Sequence, residues 1–314
     1  MSVTKLFTGV AVLLSVVGCK KDVDHKSYMV IDLMNRPPEN ISYLDEVPEG
    51  GWTTVHKTTS LVLRRISSGV FEMGGYPDGK RNDDSSISGW ERKPFFNGPS
   101  RLVAVTRPFY IGVFEVTQRQ YELVVGENPS QWNDGLQPVN MVRWIDICGV
   151  DGDSERSFIG RLRRLAGTER IHLPTEAQWE LACRSQPGCA RATEDVAKYC
   201  SCAENSSGLF GSNNVPRHVG SFIPNGNGVY DMQGNVWEWC RDVHGAIDYS
   251  CCTNPIGSGD STFRTLKGGS WRVEANVCVP NFRYSMPKTS RNDETGFRVV
   301  LEDEEGQEPL NMSQ

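Results

Sequence analysis

The side chains best equipped for chemistry in this sequence are thiols and carboxylates. Cysteines stand at positions 19, 148, 183, 189, 200, 202, 240, 251, 252 and 278, ten in all. That count is high for a reduced cytosolic chain and points to an oxidising compartment, where disulfides are the favoured fate of paired thiols. With Cys19 set apart nine remain, so one stays unpaired unless two chains share a bond. Cys200-Ser201-Cys202 and Cys251-Cys252 are too crowded for a zinc ribbon, and CxxC spacing is absent. For Cys278, core packing or a disulfide comes first and a redox or metal role third. Asp231 and Glu238 bracket the turning segment Met232-Gln233-Gly234-Asn235-Val236-Trp237. An acidic residue at each end of such a loop suits a hard cation. The same residues also fit an Asx turn at Asp231 and an arginine partner for Glu238. His25, His56, His172, His218 and His244 form no HExxH pattern, and each reads as structural or solvent-facing. There is no GxSxG elbow, P-loop or GxGxxG.

The chain has 314 residues, enough for one large domain or two small ones. Its net charge of −6 and pI near 5.5 argue against a nucleic-acid partner, which needs a basic footprint. A hydrophobic fraction of 38% and mean hydropathy of −0.43 exclude a multi-span membrane protein.

Leu6 to Val17 is an apolar run too short to span a bilayer and fits the core of a secretory signal. It ends Val16-Val17-Gly18-Cys19, which resembles a bacterial lipobox. In that reading residues 1–18 are removed and Cys19 is lipidated, giving membrane attachment without a transmembrane helix. Lys20 and Lys21 follow, with no aspartate just after the cysteine. By analogy with Gram-negative sorting, this places the protein in the cell envelope, at the outer membrane. Residues 19–59, with Pro37, Pro38, Pro48, Gly50 and Gly51, read as a tether. The domain then covers 60–301, and 302–314 is an acidic solvated tail.

The elements that must position these side chains are short. Thr117 and Gln120 have capping-box spacing ahead of Tyr121 and Val124, and Gly126 can end that helix. Phe158, Leu162 and Leu165 form a second stripe, closed by Gly167. Thr175 and Gln178 cap a third helix carrying Trp179, Ala182 and Cys183. Short strands are expected at Leu61–Leu63, Leu102–Thr106, Phe109–Val113, Arg264–Lys267 and Gly296–Leu301. The Asn-, Gly- and Ser-rich stretch from Asn205 to Gly228 reads as a long ordered loop.

Seven motifs then occur in order. They are Phe71-Glu72-Met73-Gly74, Tyr110 to Thr117 (YIGVFEVT), Pro138 to Val142 (PVNMV), Leu173 to Glu180 (LPTEAQWE), Gly228 to Trp239 (GVYDMQGNVWEW), Gly268-Gly269-Ser270-Trp271 and Gly296-Phe297-Arg298. Together they resemble the formylglycine-generating enzyme, or sulfatase-modifying factor, family. That resemblance implies an α+β, loop-rich variant of the C-type lectin-like fold. It also implies an oxygen-dependent oxidase that converts a sulfatase cysteine to formylglycine. Its copper(I) would sit between two thiolates, because that soft ion prefers sulfur. Carried over from the Gly-Gly-Ser-Trp motif, the first thiolate falls on Val273 and the second on Cys278. Valine cannot ligate, so copper is not expected. Cys278 and Ser270 remain the candidate catalytic residues, Ser270 being equally explained by the tight turn; Arg283 lies in the arginine-containing stretch beyond. The resemblance further implies structural calcium on the Asp231 and Glu238 side chains and the Gly234 and Val236 carbonyls, and Asn205 is the one candidate for a second site.

The function expected is therefore a lipid-anchored member with a non-classical accessory or scaffold role. Two alternatives fit the same residues. One is a working formylglycine-generating oxidase with a sulfatase partner. The other is a lectin-like display module using Arg272 to Thr295.

Overall fold

The first strand of the domain is not where its apolar run is most obvious. β1 (Tyr28–Asp32) pairs antiparallel with both β2 (Ile41–Leu44) and β3 (Ser60–Ile66). β3 continues to β6 (Phe109–Gly112), which pairs with β12 (Val300–Glu302), and β12 with β7 (Ile171–His172). The result is a six-stranded sheet in the order β2-β1-β3-β6-β12-β7. A four-stranded sheet runs β10 (Tyr284–Pro287), β9 (Phe263–Lys267), β8 (Trp237–Val243) and β11 (Thr295–Gly296), and β4 (Gly69–Met73) pairs with β5 (Arg101–Val105). The computed structural model describes residues 26–75, 100–150, 155–184, 200–206, 215–245, 248, 250–259 and 262–303. Cys19, Cys189, His25 and the leader lie outside these, as do residues 304–314. No helix among the described residues is long and apolar enough to cross a membrane.

Two expected boundaries move. Residues 28–44 fall within the expected tether, yet they contribute two strands to the main sheet. Met29 and Ile31 are buried in its core, which is what holds them there. At the other end Glu302 belongs to β12 and Asp303 pairs with Arg65 at 2.8 Å, so the fold runs two residues into the acidic segment. The strand expected over Gly296–Leu301 is split into β11 and β12. Phe297 leaves the ladder for the core and Arg298 turns into a buried ion pair, so the backbone cannot stay in one sheet.

The three capped helices form as the sequence dictates: α2 (Gln118–Val125), α4 (Phe158–Ala166) and α5 (Glu176–Cys183). Thr117 Oγ1 accepts from Gln120 N–H at 3.3 Å, and Gln120 Oε1 accepts from Thr117 N–H at 2.9 Å. Gly126 and Gly167 close α2 and α4 in the left-handed conformation. Three shorter helices are added: α1 (Thr54–Thr58), α3 (Trp144–Cys148) and α6 (Ala203–Ser206). In the core Tyr121 stacks on Phe158 with centroids 5.3 Å apart, and Phe158 meets Phe297 edge-on at 5.0 Å. Such pairs each add roughly 0.5–1.5 kcal/mol beyond area burial.

Beneath β9 lies a buried charge network. Lys267 Nζ, fully buried, sits 3.0 Å from Glu180 and 3.6 Å from Glu176, and Arg283 pairs with Glu176 at 2.7 Å. Asp242 accepts backbone N–H bonds from Glu176 and Gly257, both at 2.8 Å. Burial first, then the Glu176 charge, pushes the Asp242 carboxyl up to about 6, while burial and Arg283 bring His244 down to about 4. Because the Asp242 value lies above its ordinary 3.8, the folded chain holds an extra proton between those two pH values. That group's contribution to stability therefore grows as pH falls through the window and is smallest above it. Comparing wild type with Asp242→Asn cancels the opposite effect of His244. Denaturant unfolding should show wild type gaining about 1 kcal/mol on the variant between about pH 7 and pH 5. A difference that stays constant or reverses would contradict this.

Candidate functional site

The segment before β8 is forced into an unusual path. Asp231, Gly234 and Asn235 all have positive φ, at 56°, 80° and 63°. Gly234 has no alternative, since a Cβ there would lie 2.1 Å from the Ser201 carbonyl oxygen. This path delivers Glu238, at the start of β8, to Arg298. Arg298 Nη2 donates to Glu238 Oε1 at 2.6 Å and Nε to Oε2 at 2.7 Å. Trp179 Nε1–H on α5 also donates to Oε2, at 2.8 Å. The remaining Arg298 donors reach the Gly112 carbonyl at 2.9 Å and the Tyr230 carbonyl at 3.0 Å. Both charged side chains are fully buried, so the arginine partner foreseen for Glu238 is Arg298.

Glu115 is the residue that sequence reasoning missed. It is buried beside the same loop, where Asn235 Nδ2 donates to it at 2.6 Å and Val236 N–H at 3.2 Å. Its only sequence signal was an acid set in the apolar run Gly112-Val113-Phe114-Glu115-Val116. Burial, followed by the charges of Asp231 and Glu238, raises the Glu115 carboxyl well above its usual range. Burial likewise pushes Asp231 up to about 6, against the Gly220 N–H bond and the charges of Arg298 and Lys57. Three acids thus converge on one buried guanidinium, with half-buried Lys57 lying 5.0 Å from the Phe114 ring centre.

Among the described residues no cluster of three or more acidic, histidine or cysteine side chains gathers as a metal site, but one oxygen of this arrangement is left over. Asp231 Oδ2 accepts from Gly220 N–H at 2.6 Å, whereas Oδ1 is buried without a hydrogen-bond partner. A cation there would satisfy that oxygen and offset the like charges. Glu238 is mostly spent on Arg298 and Trp179, leaving its Oε1 with a spare lone pair. Asn205 is committed elsewhere: its Oδ1 accepts from Cys202 N–H at 2.9 Å and its Nδ2 donates to the Cys200 carbonyl at 2.6 Å.

The second half of the site is the turn from Gly268 to Cys278. Gly269 has φ 85°, and a Cβ on it would lie 2.5 Å from the Cys278 sulfur. The Cys278 thiol donates a long bond of 3.9 Å to the Ser270 carbonyl. The Ser270 hydroxyl donates to Glu294 at 2.5 Å. Val273 packs against an apolar cluster of Cys200, Cys202, Ala275 and Cys278. Arg283 is absent from that cluster and serves Glu176 instead. Nearby Arg272 lies 4.3 Å from the Trp271 ring centre and pairs with Asp293 at 2.8 Å and Glu294 at 3.1 Å. The histidines are otherwise employed: His218 meets Asp134 at 2.8 Å, His172 meets Arg163 at 2.8 Å, and His56 caps α1 through Thr53.

Residues 53–303 match the sulfatase-modifying factor enzyme 1-like domain. The chain belongs to this family. It is 31% identical to the formylglycine-generating enzyme of Bos taurus over 297 residues, covering 76% of this chain and 74% of that one. It is 27% identical to chaperone protein LppX of Paenibacillus barcinonensis over 231 residues, 61% of this chain and 79% of that protein. Of several other curated relatives, the chain spans less than half the length. Treponema denticola variable protein 1 shares the fold, with a TM-score of 0.61 at 22% identity, over 78% of this chain and 96% of that one. The expected α+β, loop-rich family architecture is therefore the one observed.

The Gly269 contact yields a direct test. Gly269→Ala combines a left-handed backbone with a sulfur clash and should cost about 2–4 kcal/mol in denaturant unfolding. Gly126→Ala, at φ 98° with open space around the added carbon, should cost only about 1 kcal/mol. Equal costs for the two would refute the close packing of Cys278 on Gly269.

Proposed function

We propose that this protein is an envelope-attached member of the sulfatase-modifying factor family that binds a partner protein rather than oxidising it. The observation that carries the reading is Val273. An aliphatic side chain occupies the position of the family's first copper thiolate and packs on Cys278. With valine at that position, the pair of thiolates that the family places at this spacing is incomplete. The Ser270 hydroxyl, committed to Glu294, gives no support to an alternative catalytic pair. The likeness to a relative named a chaperone protein supports an accessory role, and attachment through Cys19 rests on the Gly18-Cys19 sequence. An extracytoplasmic sulfatase is the partner class that family membership suggests.

The test is aerobic incubation of the purified chain with copper(I) and a Cys-x-Pro-x-Arg peptide, read by mass spectrometry. No aldehyde should form, while restoring the pair with Val273→Cys should leave the fold intact. Conversion of the peptide by the wild-type chain would overturn the reading.

Calcium is proposed at the Asp231 end of the loop, held by Asp231 and Glu238 with the Gly234 and Val236 carbonyls. The buried, partnerless Asp231 Oδ1 supports this. A ligand that binds only the folded chain raises its melting temperature by mass action. Chelator should therefore lower the melting temperature by several degrees, and Asp231→Asn should abolish the response. An unchanged melting temperature with chelator would remove calcium from the account.

A further inference from the structure

Cys278 is 1% exposed and shares its apolar cluster with two cysteines from a distant part of the chain, Cys200 and Cys202. The backbone fixes that encounter from both sides. Ala203 N–H donates to the Val273 carbonyl at 2.9 Å, which sets Cys202 beside the 268–278 turn. On the other side Ser201 bridges Gly234, and its carbonyl accepts from Asn235 N–H at 2.8 Å. Asn205 then clamps the Cys200 carbonyl and the Cys202 amide together. Cys202 is fully buried and directly precedes Ala203, whose N–H makes the bond to Val273. Gly269 also lies close to the Cys278 sulfur, since a Cβ on it would come within 2.5 Å of that atom.

We propose that Cys202 and Cys278 are a disulfide-forming pair that closes this pocket in an oxidising compartment. Two thiols lose two protons and two electrons, one sulfur–sulfur bond forms, and the disulfide of a thiol–disulfide oxidoreductase is reduced to its dithiol. The bond replaces the thiolate that a soft metal would need. It also ties the 200–206 segment to the 268–278 turn, on either side of the Asp231–Glu238 loop. The inference rests on the reading of this pocket as non-oxidative and supplies its physical cause.

The experiment uses the full chain prepared under oxidising conditions, denatured in excess alkylating agent and digested without reductant. Mass spectrometry should find a linked peptide joining Cys278 to the Cys200–Cys202 segment, and the link should survive Cys200→Ser but vanish in Cys202→Ser. Alkylation of both Cys202 and Cys278 in the wild type would overturn the pair, as would linkage of Cys278 through Cys200 or any other cysteine. In parallel, Cys202→Ser, Cys278→Ser and the double variant should lower the melting temperature by the same amount. Additive losses would contradict a shared bond. A linked chain that still makes aldehyde would defeat the non-oxidative reading alone, whereas unlinked thiols in an inactive chain would defeat this pair alone.

Discussion

Two fully buried side chains of opposite charge, Glu238 and Arg298, join β6, β8, α5 and the segment that leads into β8. Through Arg298 the pair holds the Gly112 carbonyl at the end of β6 and the Tyr230 carbonyl before the strained loop. Through Glu238 it holds the indole of Trp179, which brings α5 to β8. Taking both charges out of water is costly, and only the two-point geometry with its extra hydrogen bonds offsets that cost. Arg298 lies between β11 and β12, where the chain passes from the four-stranded sheet to the six-stranded one, so the ion pair sits at the junction of the two.

Much of this was legible in local sequence, because caps and turns are local events. The Thr117–Gln120 and Thr175–Gln178 boxes and the glycines that close α2 and α4 are read from three or four neighbouring residues. The Asp231–Glu238 loop was equally visible, since Gly234 and Asn235 mark positive φ. What stayed hidden depends on residues far apart in the chain. Glu115 meets Asn235 only after folding, and Ala203, next to Cys202, meets the 268–278 turn through a backbone bond that no spacing announces. β1 was concealed by its surroundings: Pro37 and Pro38 gave the segment the look of a tether, although Met29 and Ile31 pack in the core.

Electrostatics and sulfur chemistry divide the site into two regions with different demands. Around Asp231 there are more carboxylates than buried cations, so burial and like charges favour the protonated form of Asp231 and Glu115. Around Cys278 the walls are valine, alanine and cysteine, an apolar lining without a charged side chain. The family framework is kept, with valine at position 273 beside the cluster that holds Cys278. Family membership describes that framework and does not by itself fix the chemistry of the side chains set on it.

The central claim is that Glu238 and Arg298 stabilise the fold as a pair, not as two independent residues. A double-mutant cycle with Glu238→Gln, Arg298→Met and the double variant, read by denaturant unfolding, measures this directly. Each single change leaves one buried charge uncompensated and should cost about 3–5 kcal/mol, with the double variant costing at least about 2 kcal/mol less than their sum. Strictly additive losses would contradict the account.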